Sequence, residues 1–217
     1  MSGVFLAGGA AAALFASALA GTSMGTEPVS TVPAEKIQIG VNTVNGSGCP
    51  AGTAAVAVSP DNTAFTVTYS NYLASVGVGS HPTDFRKNCQ LNLGVKVPHG
   101  FTYAIASVNY RGYAYLEKGA TALQKAQYFH QGSAETKSAT HKIDGPYDNN
   151  WQHTDEAEVG EMVWAPCGVE RNFNINSELR VDGGSSNLKE TTSFVAMDST
   201  DGAVSTVYHI AWKKCES

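Results

Sequence analysis

The sequence predicts an all-β chain: an antiparallel β-sandwich of jelly-roll or immunoglobulin-like topology, with about ten short strands and two disulfides. Three observations carry this. Apolar residues recur with a period of two. Leu91, Leu93, Val95 and Val97 alternate with Asn92, Gly94 and Lys96, and Phe173, Ile175, Leu179 and Val181 alternate with Asn174, Asn176, Glu178, Arg180 and Asp182. Such alternation sets one face of an extended strand against a core. No stretch carries a helical stripe of useful length; residues 119–127 come nearest and run straight into Tyr128 and Phe129. Turn-forming residues separate the alternating runs.

In chain order, strands are expected over residues 37–44, 54–58, 64–69, 91–97, 101–116, 121–131, 156–164, 173–181, 192–197 and 204–212. Ser59-Pro60-Asp61-Asn62 sets proline's fixed φ at the first central position of a turn. Asp198-Ser199-Thr200-Asp201-Gly202 is a short connection whose glycine tolerates positive φ. These turns predict that the first three strands, and the last two, are hairpin neighbours. The run 101–116 exceeds the usual 5 to 6 residues of a strand, so a bend is expected at Ser107, Asn109 or Gly112. Its even positions, Ala104, Ala106, Val108, Tyr110 and Ala114, read as an inner face. Its odd positions, among them Ile105, Arg111, Tyr113 and Tyr115, mix aromatic with polar groups and form either a second buried layer or a binding surface.

Residues 1–20 carry no charge, and the apolar run from Val4 ends in Ala18-Leu19-Ala20. A run closed by a small-x-small tripeptide predicts a secretory signal peptide cleaved after Ala20. A transmembrane helix is the rival reading, but the run is rich in Gly and Ala and lacks a basic stop-transfer flank. Residues 21–35, with Pro28 and Pro33, read as a flexible leader, and no packing is expected before Lys36. Residues 36–217 then suffice for a single sandwich domain. The net charge is −5, and the few basic residues are scattered. Nucleic acid and, once the signal is removed, the membrane are therefore not expected partners. The predicted location is secreted, extracellular.

An oxidising compartment makes Cys49, Cys89, Cys167 and Cys215 a disulfide framework. Four cysteines allow three connectivities, and sequence alone does not choose. Pairing of neighbouring blocks, Cys49 with Cys89 and Cys167 with Cys215, is the expectation for a hairpin-rich fold. It closes loops of about 40 and 50 residues, each worth about 4 kcal/mol in chain entropy.

Nucleophile-elbow, phosphate-loop, dinucleotide and zinc-helix motifs are all missing from the sequence. Among Asp155, Glu156, Glu158 and Glu161, the pair Glu156 and Glu158 would share one face of a strand near the separation that glycoside hydrolysis needs, and they are the candidate catalytic carboxylates. A solvated edge is the plainer reading. The histidines are dispersed. His141 with His153 and Asp155 is the least improbable metal set, and the Asp and Asn oxygens of the loop 144–151 would suit calcium, although an ordinary turn explains them. No metal or cofactor is predicted. Arg111, Tyr113, Tyr115, Tyr147 and Trp151 stand amid Asn and Asp, a combination that suits a sugar's apolar face and its hydroxyls.

In order and spacing, several segments resemble the secreted family known as domain of unknown function 4360. They are Gly46 to Pro50, residues 54–67, Lys87 to Leu93, Val97 to Tyr103, Pro166-Cys167-Gly168, Asn172 to Arg180, Met197 to Gly202 and Trp212 to Cys215. The resemblance runs from about Lys36 to the C-terminus and implies a secreted, single-domain protein of bacteria and fungi whose four cysteines are structural. It brings no catalytic residue with it. The leading expectation is a non-catalytic binding module for a glycan or an extracellular protein. A glycan-cleaving hydrolase and a structural envelope protein are the rivals.

Overall fold

The computed structural model describes residues 32–197 and 205–216, and in it Leu91, Leu93 and Val95 lie in the core while Gln90, Asn92 and Lys96 turn away from it. The predicted signal peptide, the leader as far as residue 31 and the turn at 198–202 fall outside the described residues. The strands are β1 (Gln38–Asn45), β2 (Ala54–Val58), β3 (Ala64–Tyr69), β4 (Leu73–Gly77), β5 (Arg86–Lys96) and β6 (Phe101–Leu116). They continue with β7 (Thr121–His130), β8 (Lys137–Asp144), β9 (Tyr147–Glu156), β10 (Phe173–Asp182), β11 (Thr192–Ala196) and β12 (Thr206–Lys214). A five-stranded sheet runs β1-β5-β10-β7-β8, and a seven-stranded sheet runs β2-β3-β12-β6-β11-β4 with β9 also paired to β6. All of these pairings are antiparallel, and the two sheets face each other across one core.

The sandwich is therefore as predicted, with twelve strands among the described residues in place of about ten. Residues 156–164 do not form a strand: Glu156 ends β9 and a 3₁₀ turn follows at Val159–Glu161. β4, β8 and β9 escape the sequence reading. β8 and β9 are edge strands whose inward positions carry Ala139, His141, His153 and Asp155, so their apolar alternation is weak.

Register corrects the hairpin expectation. The turn at Ser59–Asn62 does join β2 to β3, but β1 belongs to the other sheet, paired with β5. Nor do β11 and β12 form a hairpin. β9 pairs with β6 at both Tyr113–Tyr115 and Ser107–Asn109, whereas β11 pairs with the first of these stretches and β12 with the second. A strand has two edges, so β11 and β12 must lie end to end on one edge of β6. β3 and β4 follow them on the next line, and the Met197 N–H bonds the Tyr72 carbonyl where both lines break.

β6 does bend, one residue before the expected places. Ser107 pairs with His209 but Ile105 with Ile210, so Ala106 is the extra residue of a bulge. The inner face consequently switches phase: Tyr103 and Ile105 point into the core before the bulge, and Val108, Tyr110, Ala114 and Leu116 after it.

Phe173 of β10 is the hub of the core. Its ring lies 6.0 to 6.5 Å from those of Phe65, Tyr103, Tyr128 and Tyr208, which join the two sheets. Each such contact adds about 0.5–1.5 kcal/mol beyond burial alone. The disulfides pair Cys49 with Cys89 and Cys167 with Cys215, at Cα separations of 5.3 and 5.9 Å. Packing is already present before Lys36: Pro33 is buried, and the Asn62 side chain donates to the carbonyls of Pro33 and Glu35 and accepts from the Ile37 N–H.

Candidate functional site

Beyond its bulge, β6 turns Asn109, Arg111, Tyr113 and Tyr115 to the outer face of the seven-stranded sheet. β9 sets Thr154, Gln152, Asn150 and Asp148 directly opposite them. On the other edge, β11 brings Phe194 into register with Tyr115. The Phe194 ring lies 5.9 Å from that of Tyr113 and 6.1 Å from that of Tyr115, giving a half-exposed aromatic platform of three rings. Carboxylates hold two of them. The Tyr113 hydroxyl donates to Asp148, and the Tyr115 hydroxyl donates to Glu117 Oε1 at 2.9 Å. Both bonds favour the neutral phenol, so each hydroxyl titrates above the usual tyrosine range. The guanidinium of Arg111 stands exposed beside this platform, with no ion pair among the described residues.

Of the five residues read as ligand-binding, Arg111, Tyr113 and Tyr115 share this face. Tyr147 lies at its rim, where its hydroxyl bonds the Asn150 carbonyl and its ring borders a shallow cavity of about 280 Å³ with Tyr115 and Asp148. Trp151 is not exposed. It points inward, is 3% accessible, and packs against Gly112, where a Cβ would sit 2.3 Å from the indole ring. Residues 147–151, read as a loop, are the start of β9, and its alternation turns Trp151 toward the core. Phe194 was missed because Phe194 and Val195 are adjacent and both apolar, so alternation alone does not say which of them faces outward.

The same alternation gathers His141, His153 and Asp155 at the open edge between β8 and β9. His141 Nε2 lies 3.0 Å from Asp155 Oδ1, and the two imidazoles stack with centroids 4.3 Å apart and planes 8° apart. Stacked rings aim their lone pairs in parallel rather than at one point, and no group of three or more His, Cys, Asp or Glu among the described residues is arranged to hold a metal ion. Burial, and then the neighbouring His141, hold the His153 imidazole below its usual pKa against the opposing pull of Asp155. Gln124, opposite His141 in register, is fully buried, and its amide has no hydrogen-bond partner among the described residues.

Glu156 and Glu158 do not share a strand face. The first closes β9, the second precedes the 3₁₀ turn, and both are exposed. Glycoside hydrolysis needs one carboxyl sheltered from water, and neither glutamate has that shelter.

A second polar surface, not singled out from sequence, covers the outer face of the five-stranded sheet. Asn92 Nδ2 donates to Asn174 Oδ1, while Asn42 and Asn172 both donate to Asn92 Oδ1. Toward the other end of the same strands, Arg86, Asn88, Gln90, Lys125, Gln127 and Glu178 border a cavity of about 260 Å³. A larger cavity of about 700 Å³ lies by the Cys167–Cys215 disulfide, between Val97–Thr102 and Pro166–Glu170.

Comparison with known proteins places the chain. It is 36% identical over 181 residues to an "Uncharacterized secreted protein" of Arthroderma benhamiae, an alignment covering 83% of this chain and 73% of that one. Among solved structures, the enzymatically active domain of tailspike protein 4 of bacteriophage CBA120 aligns with 80% of this chain. That match spans only 19% of the phage chain, at 12% identity and a TM-score of 0.26, and supports no conclusion about fold or function. The model of a domain of unknown function, DUF4360, matches residues 35–215, four cysteines included. The chain belongs to the DUF4360 family.

Proposed function

We propose that this chain is a secreted, non-catalytic glycan-binding module whose platform of Tyr113, Tyr115 and Phe194 receives the apolar face of a neutral sugar. Secretion is supported by the uncharged, alanine-rich N-terminus, by two disulfides, and by the similarity to a fungal protein described as secreted. The carrying observation is the set of three half-exposed rings on a rigid sheet, two of them fixed through their hydroxyls. Rings ordered in advance lose little conformational entropy on binding. Asn150, Gln152 and Arg111 alongside supply donors and acceptors for hydroxyls. Asp148 and Glu117 make the platform acidic, which favours a neutral saccharide over an anionic one.

Calorimetric titration with neutral hexasaccharides, chosen from a glycan array, tests this. Tyr113→Ala and Phe194→Ala should each weaken binding about tenfold, or roughly 1.4 kcal/mol, while leaving the melting temperature nearly unchanged. Absence of any neutral glycan ligand, or binding indifferent to both substitutions, would refute the reading.

A further inference from the structure

We propose that the opposite face of the sandwich, on the five-stranded sheet, is a separate binding site for a uronate-bearing polysaccharide. Its floor is written by register. Lys125, Glu178 and Asn88 form one row across β7, β10 and β5; Gln127, Asn176 and Gln90 form the next; Arg180 and Arg86 flank the first row on its other side. The cavity of about 260 Å³ opens over these rows.

Charge sets the ligand class. The protein carries a net charge of −5, yet this end of the face gathers Arg86, Arg180, Lys125 and Lys142 against Glu178, Asp144 and Asp182. Lys142 is engaged by Asp144. Glu178 accepts from Arg86 through Nε at 2.8 Å and through Nη2, and from Arg180 Nη2 at 3.0 Å. One carboxylate thus orients two guanidiniums and leaves donors on each facing solvent. Burial pulls Glu178 up, but the two arginines outweigh it and keep the carboxyl below its ordinary range, so the pair persists as an ionised clamp. Lys125 has no ion pair among the described residues. An anion meeting this surface finds one free ammonium and two pre-aimed guanidiniums within adjacent rows.

The amides set the rest. At the far end of the face the Asn42, Asn92, Asn172 and Asn174 side chains satisfy one another. In the row beside the cations, the side chains of Gln90, Gln127 and Asn176 make no hydrogen bond among the described residues. Three unengaged amides, each both donor and acceptor, match hydroxyls, and the cations match carboxylates. The surface from Arg86 to Asn92 runs about 20 Å along the strand at 3.4 Å per residue, which suits an extended chain better than a single small anion. Its cavity offers no aromatic ring and no apolar pocket for peptide side chains, so an acidic polysaccharide fits and an acidic peptide does not.

Affinity for a uronate hexasaccharide, its methyl ester, poly-glutamate and citrate should be measured on the disulfide-bonded protein at two salt concentrations. The hexasaccharide should bind with an affinity that falls as salt rises, and esterification should weaken it at least tenfold. Lys125→Gln and Arg180→Gln, both at solvent-facing positions, should each weaken it about five- to tenfold. Gln127→Glu, which keeps the shape and adds repulsion, should abolish binding, with thermal melts confirming that each variant is folded. Tyr113→Ala should leave uronate binding intact, which separates this site from the aromatic platform. The proposal is overturned if the hexasaccharide does not bind, if its ester binds equally, if the three variants bind as the parent does, or if poly-glutamate or citrate binds as tightly.

Discussion

Reduction should not treat the two disulfides alike. Their sequence separations are 40 and 48 residues, so the chain-entropy model assigns each about 4 kcal/mol. That is a large fraction of the 5–15 kcal/mol that typically separates folded from unfolded domains. Their settings differ more than their loops. Cys49 and Cys89 are wholly buried, with Cys89 inside β5 and paired with Ser177 of β10. Cys167 is exposed and Cys215 half-exposed, just beyond the end of β12 beside the cavity of about 700 Å³. A thiolate must reach a sulfur along the S–S axis to exchange. We therefore expect Cys167–Cys215 to reduce in the native state and Cys49–Cys89 only after opening of the sheet. Timed reduction followed by alkylation and peptide mass spectrometry should label Cys167 and Cys215 well before the other two. Cys167→Ala/Cys215→Ala should cost about 4 kcal/mol or less, lowering Tm by about 8–16 °C at 2–4 °C per kcal/mol. Cys49→Ala/Cys89→Ala should cost more, because two small cavities in the core add to the lost loop closure. Equal labelling rates, or a Cys49–Cys89 variant as stable as its counterpart, would refute this reasoning.

Two further outcomes follow from buried polar groups. His130 and His153 are held neutral chiefly by burial, so their folded pKa values lie below the unfolded value; the unfolded chain then takes up more protons, and stability should fall as pH drops below about 6.5. Melts between pH 8 and 5 check the sign, and a rising or flat Tm would contradict it. Asn62, at φ 62°, makes three side-chain hydrogen bonds to residues 33–37; Asn62→Ala should cost about 3–4 kcal/mol, at about 1 kcal/mol per hydrogen bond and a similar penalty for alanine at positive φ. Asn62→Gly, which relieves only the backbone term, should recover about 1 kcal/mol in denaturant titrations, and a loss below 1 kcal/mol for the alanine variant would show that the anchor is weak.

What sequence alone determined is what local chemistry encodes. Alternation in 91–97 and 173–181 places one face of each strand against a core whatever the topology, and it sufficed to identify a sandwich. The Ser59–Asn62 turn names its own hairpin, since proline's φ and the following Asp and Asn act within four residues. The same period of two put Arg111, Tyr113 and Tyr115 on one side of β6, where they are found. Where alternation is weak, the reading failed: β8 and β9 turn histidine and aspartate inward at an open edge, and no local signal marks a polar residue as inward-facing. Tertiary structure decided what depends on distant neighbours. The bulge at Ala106 follows from pairing with β12, a strand about a hundred residues away by β-ladder register, and it reversed the inner face of the first part of β6. Trp151 left the expected binding surface because residues 147–151 form the start of β9, whose pairing with β6 turns the indole inward over Gly112, which has no side chain to fill that space. Phe194 joined the platform, and the cations of the opposite face met, only through pairing between separate strands. Sequence encodes the faces of a strand because the pleat is local; which faces become neighbours is a property of the sheet.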